Sequence, residues 1–80
     1  MPTVLKIFGL RVVIYPNDHN PAHVHVTNDE HEAAFNLNCP SGPPRLRENY
    51  GFSRKALQQI ADALATELQH LCKEWKRIHG

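Results

Sequence analysis

The sequence predicts an α+β domain: a four-stranded, mainly antiparallel sheet covered on one face by a single long C-terminal helix. Residues 3–38 hold short apolar or alternating runs separated by turn-formers, residues 53–79 carry apolar residues at helical spacing, and the stretch between them is proline-rich. With 80 residues the chain has room for one core and therefore one domain over 1–80, divided into sheet (3–38), loop (39–52) and helix (53–79).

The first two strands are expected at 3–8 and 10–15, where Val, Leu, Ile and Phe dominate and Gly9 interrupts. Pro16 to Pro21 concentrates Asn17, Asp18, His19 and Asn20, which makes a loop. In residues 23–27 the alternation is strict: His23, His25 and Thr27 share one face, Val24 and Val26 the other. Residues 32–38 alternate again, with Ala33, Phe35 and Leu37 apolar. Because the pleat has period two, an even-numbered turn is needed to put Val24 and Val26 on the face of Phe35 and Ala33. A two- or four-residue turn near Asn28 to Glu30 satisfies that, and the histidines then occupy the polar face.

Residues 39–52 hold Pro40, Pro43 and Pro44 and read as a long surface loop, mobile or ligand-binding. Ser53 offers an N-cap to a helix that Gly80 ends. Roughly 26 helical residues would extend about 39 Å, which suggests an overhang or packing on a second subunit of a homo-oligomer. The expected core is Val4 or Leu5, Ile7, Val12, Ile14, Val24, Val26, Phe35 and Leu37 against Leu57, Ile60, Leu64, Leu68, Leu71 and Trp75.

Nine Lys and Arg against eight Asp and Glu give a formal charge of +1, far from the basic balance of a dedicated nucleic-acid binder. No run approaches the ~18 apolar residues of a membrane span, and the N-terminus shows no basic segment followed by an apolar one. A cytoplasmic protein without a membrane partner is expected. In that compartment Cys39 and Cys72, outside any CxxC spacing, are expected as free thiols.

The chemical signal is the run Asn17-Asp18-His19-Asn20-Pro21-Ala22-His23-Val24-His25. Two histidines at i and i+2 of a strand point the same way, and their rings can converge on one ion at Zn–N distances of about 2.0–2.1 Å. His19, His31 or Glu32 is a candidate third ligand beside His23 and His25, and Asp18 a carboxylate that orients an imidazole. A divalent metal such as zinc is the candidate cofactor. The alternative chemistry is metal-free, with His23 and His25 as acid and base on a phosphodiester such as RNA. The four carboxylates Asp18, Asp29, Glu30 and Glu32 oppose it, since they attract cations and repel phosphate. Phosphate or partner contacts would have to come from Arg45, Arg47, Arg54 and Lys55. A noncatalytic module that docks another protein, with His19 and Asp18 shaping the loop, is the second function class.

Asp18-His19, Pro21, His23 and His25, together with Met1-Pro2-Thr3, Phe8-Gly9 and the Leu71-x-x-x-Trp75 spacing in the helix, resemble the signature of short bacterial proteins of domain-of-unknown-function family 4160. The resemblance implies no established activity. It does imply an adjacent gene for another small domain, of unknown-function family 2442, as cognate partner in a pair suggested to be toxin–antitoxin-like. The chain departs from the pattern at Cys39 to Phe52, where members have a short Gly-containing turn and a Leu-Pro step.

Overall fold

The β-rich half folds strand by strand into an antiparallel meander. In the computed structural model, which describes residues 3–79, the strands are β1 (Thr3–Ile7), β2 (Leu10–Val13), β3 (His23–Thr27), β4 (Glu32–Asn36) and β5 (Arg45–Tyr50), in that spatial order. Met1, Pro2 and Gly80, used in the sequence reading, lie outside the described residues. Phe8 and Gly9, both at positive φ, form the two-residue turn between Ile7 and Leu10. Such turns match the right-handed twist of the strands they join.

The β3–β4 turn has the required even length. Thr27 pairs with Glu32 across residues 28–31, which sets Val24 opposite Phe35 and Val26 opposite Ala33. Asn28 holds this turn, its Oδ1 accepting from the backbone N–H groups of Glu30 (2.8 Å) and His31 (2.7 Å).

Three expectations are corrected. The stretch 39–52 is not wholly loop: its second half is β5, a fifth strand that pairs with β4 and carries a bulge between the partners of Ala34 and Phe35. All six β5 residues are exposed, so no buried face imposed an apolar alternation that could have revealed the strand. The single long helix is two, α1 (Arg54–Thr66) and α2 (Leu68–His79), capped at the start by Ser53, whose Oγ accepts from Ala56 N–H. At the break the Thr66 hydroxyl donates to the Asp62 carbonyl, and Glu67 N–H is shared between the Ala63 and Leu64 carbonyls. Back-bonding of this kind often bends helices, and the longest dimension of the molecule, 33 Å, is shorter than the length expected of one straight helix. Cys39 and Cys72 are not free thiols; they form a disulfide, with Cα atoms 5.9 Å apart, that ties the β4–β5 connection to α2.

Both helices lie on the Val24/Val26 face. Val12, Ile14, Val24, Val26, Phe35 and Leu37 pack there against Ile60, Leu64, Leu68, Leu71 and Trp75, while Val4, Leu5, Ile7 and Leu57 are only partly buried at the margin. Gly42 lets the β4–β5 connection reach this layer: a Cβ at that position would stand 2.7 Å from Leu68 Cδ2. The opposite face is less polar than expected, since Val13 and Ala34 flank His25 across the strands and both are buried.

Phe35 and Leu46 are cross-strand partners on the helix side, one 1% and the other 47% exposed. Phe35→Ala is expected to cost about 3–5 kcal/mol of unfolding free energy, and Leu46→Ala less than about 1 kcal/mol. Urea titrations of the two variants check the difference.

Candidate functional site

The site is built where the β2–β3 connection folds back over β3. Asp18 N–H donates to the Tyr15 carbonyl (3.0 Å), closing a turn, and Tyr15 N–H returns a bond to Asp18 Oδ2 (3.3 Å). That reciprocal pair aims the Asp18 carboxylate at β3. There His23 and His25, two residues apart on one strand, present their rings to the same side.

Asp18 Oδ2 lies 3.4 Å from His23 Nε2 and 3.3 Å from His25 Nε2. One ligand atom from each of the three residues falls within 4.8 Å of the others. Ligands about 2.05 Å from a tetrahedrally coordinated zinc stand about 3.3 Å apart, so these two separations suit a shared ion. Neither is a hydrogen bond in direction, and both ring nitrogens of His25 are buried without a hydrogen-bond partner.

The remaining ring nitrogens are turned toward acceptors. His23 Nδ1 is 2.8 Å from the Pro21 carbonyl, a bond that requires Nδ1 to carry the proton. His25 Nδ1 has Glu32 Oε2 at 3.4 Å. The Pro21 carbonyl behind Nδ1 leaves His23 Nε2 to face a cation, as in metal-bound histidines oriented by a second acceptor, whereas Glu32 lies near His25 Nδ1 without a hydrogen bond.

Packing holds the rings. The Tyr15 ring meets His25 edge-on at 4.9 Å, and His23 and His25 stand 5.2 Å apart. On its other side His23 meets Trp75 at 5.3 Å, and His79 stacks on Trp75 at 3.8 Å. The His23 side chain is only 6% exposed, whereas His25 and Asp18 each keep 19% open to solvent.

The sequence-predicted residues divide accordingly. His23 and His25 come together, and Glu32 reaches the far nitrogen of His25. Asp18, expected to orient an imidazole, is itself among the converging ligand atoms. His19 is exposed and outside the group; His31 sits in the β3–β4 turn, its ring 5.2 Å from Phe52. Arg45 lies on the histidine face, in register with Asn36 and His23, two strands or about 10 Å away. Arg47 falls at the β5 bulge, Arg54 lines a cavity on the helix side with Phe35 and Leu57, and Lys55 is exposed in the first turn of α1. Sequence reasoning assigned Trp75 to the core alone; its i, i+4 relation to His79 was the available sign of the aromatic stack behind His23.

Lys6 and Arg11 share the histidine face, in register with Thr27, Glu32 and Tyr50. On the same face the Tyr50 hydroxyl donates to Glu48 Oε2 at 3.2 Å, and that bond to a carboxylate holds the phenol above its usual range. The Glu74 carboxyl on α2 is held below its usual range by its hydrogen bonds from Arg77, remote from this face in role. No helix among the described residues is long and apolar enough to cross a membrane.

The fold and site define a small α+β protein with a histidine–carboxylate cluster on β3, at residues that alternate with the core valines Val24 and Val26. No curated protein and no solved structure matches the chain. A family profile does match, over residues 9–76, and the chain belongs to that family, described as Domain of unknown function (DUF4160).

Removing the Asp18 carboxylate deletes the atom common to both histidine contacts. In Asp18→Ala, the imidazole NMR signals of His23 and His25 are expected to move, while those of His31 and His70 stay in place. Equal shifts at all four would show a general rearrangement in place of a local cluster.

Proposed function

We propose that this chain is a metal-dependent phosphodiester hydrolase in which Asp18, His23 and His25 hold one divalent ion, zinc by donor chemistry. The observation that carries the reading is the convergence of one carboxylate oxygen on two ring nitrogens at tetrahedral-edge separations, with His25 left without a hydrogen-bond partner. An unsatisfied buried polar atom costs about 1–3 kcal/mol, and a bound ion removes that cost. Three protein ligands leave a fourth position for water, which such an ion activates for attack.

Charge favours this reading over metal-free acid–base catalysis. Asp18 and Glu32 flank the rings, so a phosphodiester approaching the bare site meets negative charge. A divalent ion reverses the local sign, and Arg45, Arg11 and Lys6 on the same face suit a polyanion such as RNA. The implied toxin–antitoxin-like gene pair fits an RNA-cleaving member bound by its cognate small protein. A noncatalytic docking module is the second reading, favoured by the 63% exposure of Tyr50 on this face.

Zinc calorimetry on chelator-stripped protein tests the site. His23→Ala is a poor first variant, because the ring is buried against Trp75 and its loss opens a cavity. Asp18→Ala and His25→Ala are expected to remove saturable binding while keeping the wild-type circular dichroism. Glu32→Gln should weaken binding about 10–100-fold. Wild-type affinity in all three variants would refute the ligand set. Zinc-dependent RNA cleavage lost in His25→Ala would support hydrolysis, and zinc binding without cleavage would leave the docking module.

A further inference from the structure

Outside the histidine site, the Cys39–Cys72 disulfide opens on a cavity of about 570 Å³ whose walls include Pro21, Pro40, Trp75 and Lys76 as well as both cysteines. Structural disulfides are ordinarily enclosed by the packing they reinforce. This one borders solvent, with Cys39 exposed and Cys72 half-buried on α2. Lys76 stands at i+4 from Cys72, on the same helical face, and is one of the residues that line the cavity.

We propose that this cavity is a thiol–disulfide exchange site for a small anionic thiol of the glutathione class, with Cys39 the sulfur attacked. The incoming thiolate bonds to Cys39 Sγ, the Cys39–Cys72 bond breaks, and its electron pair leaves on Cys72 as thiolate. Exchange proceeds faster when the leaving thiolate is stabilised, and the Lys76 cation supplies that stabilisation. The Cys72 thiolate then takes a proton from water. A second small-molecule thiolate attacks the small-molecule sulfur of the mixed disulfide, breaking its bond to Cys39 Sγ and releasing the small-molecule disulfide and the Cys39 thiolate, which is protonated by water. Two electrons pass from two small thiols to the protein.

Two features fit the cavity to that ligand. Its walls are largely apolar around Trp75 and the prolines, which suits a peptide backbone and methylene groups, while Lys76 complements carboxylates. The loop that carries Cys39 is joined to the fold by local bonds, from Gly42 N–H to the Asn38 carbonyl (2.7 Å) and from Asn38 Nδ2 to the Pro43 carbonyl (2.8 Å). These bonds do not involve either cysteine and so do not themselves depend on the disulfide.

The test incubates native oxidised protein with reduced glutathione, traps free thiols with iodoacetamide and reads the products by intact mass and peptide mapping. Glutathione on Cys39 with alkylation on Cys72 is expected, and Lys76→Ala should slow the first step roughly threefold. Cys72→Ser, given oxidised glutathione, should accumulate the Cys39 adduct; should that variant fail to fold, the wild-type mapping still decides. Glutathione found on Cys72, reaction only after addition of denaturant, or an unchanged rate in Lys76→Ala would each overturn the assignment.

Discussion

Burying Val24 and Val26 beneath the helices obliges His23 and His25 to emerge on the other face of the sheet, because neighbouring side chains of a strand alternate. A one-residue slip of β3 would exchange the two sets, placing imidazoles in the core and valines outside. The four-residue turn held by Asn28 prevents that slip, since it fixes Val24 opposite Phe35 and Val26 opposite Ala33. The geometry of the site therefore follows from an apolar requirement on the opposite side of the sheet. Hydrophobic burial sets the register, and the register sets where the histidines converge.

That dependence explains what was legible in the residues. The alternation of 23–27 and 32–38 predicts the hairpin, its even turn and the shared face of His23 and His25, and the Ser53 N-cap marks the start of α1. β5 escaped because none of Arg45, Leu46, Arg47, Glu48, Asn49 and Tyr50 is buried: an exposed edge strand with a bulge has no period to read. Charged residues and a bulge are also what keeps an edge strand from pairing with other chains, so the features that hid β5 protect it. The break at Glu67 has no glycine or proline to announce it; a threonine hydroxyl bonded one turn back accompanies it. The disulfide was missed for another reason, since thiol state was inferred from compartment while pairing depends on whether two Cβ vectors meet.

Within the site, the sequence names the residue types but not their division of labour. Asp18 and His19 are adjacent in a loop, where no periodicity states which side chain turns inward. The reciprocal bonds between Tyr15 and Asp18 decide it, directing the carboxylate to β3 and leaving His19 in solvent. Glu32 was legible as a neighbour of His25, because Thr27 and Glu32 close the hairpin turn and the carboxylate lies on the imidazole face.

His23 joins the core to the site. Its ring lies between Trp75 of α2 and His25 of β3, its Nδ1 is held by the Pro21 carbonyl, and almost none of it meets water. A ring so constrained loses little further freedom when its remaining nitrogen engages a cation, which lowers the ordering cost of binding. The His25 and Asp18 side chains are more open to solvent than His23, although both ring nitrogens of His25 are buried. The two histidines thus contribute differently despite their equivalent places in the strand. His23 supplies a direction fixed by packing, and His25 supplies a ring set between the Asp18 and Glu32 carboxylates. Because α2 carries Trp75 one turn beyond Cys72, the link between that helix and the β4–β5 connection also helps keep the indole against His23.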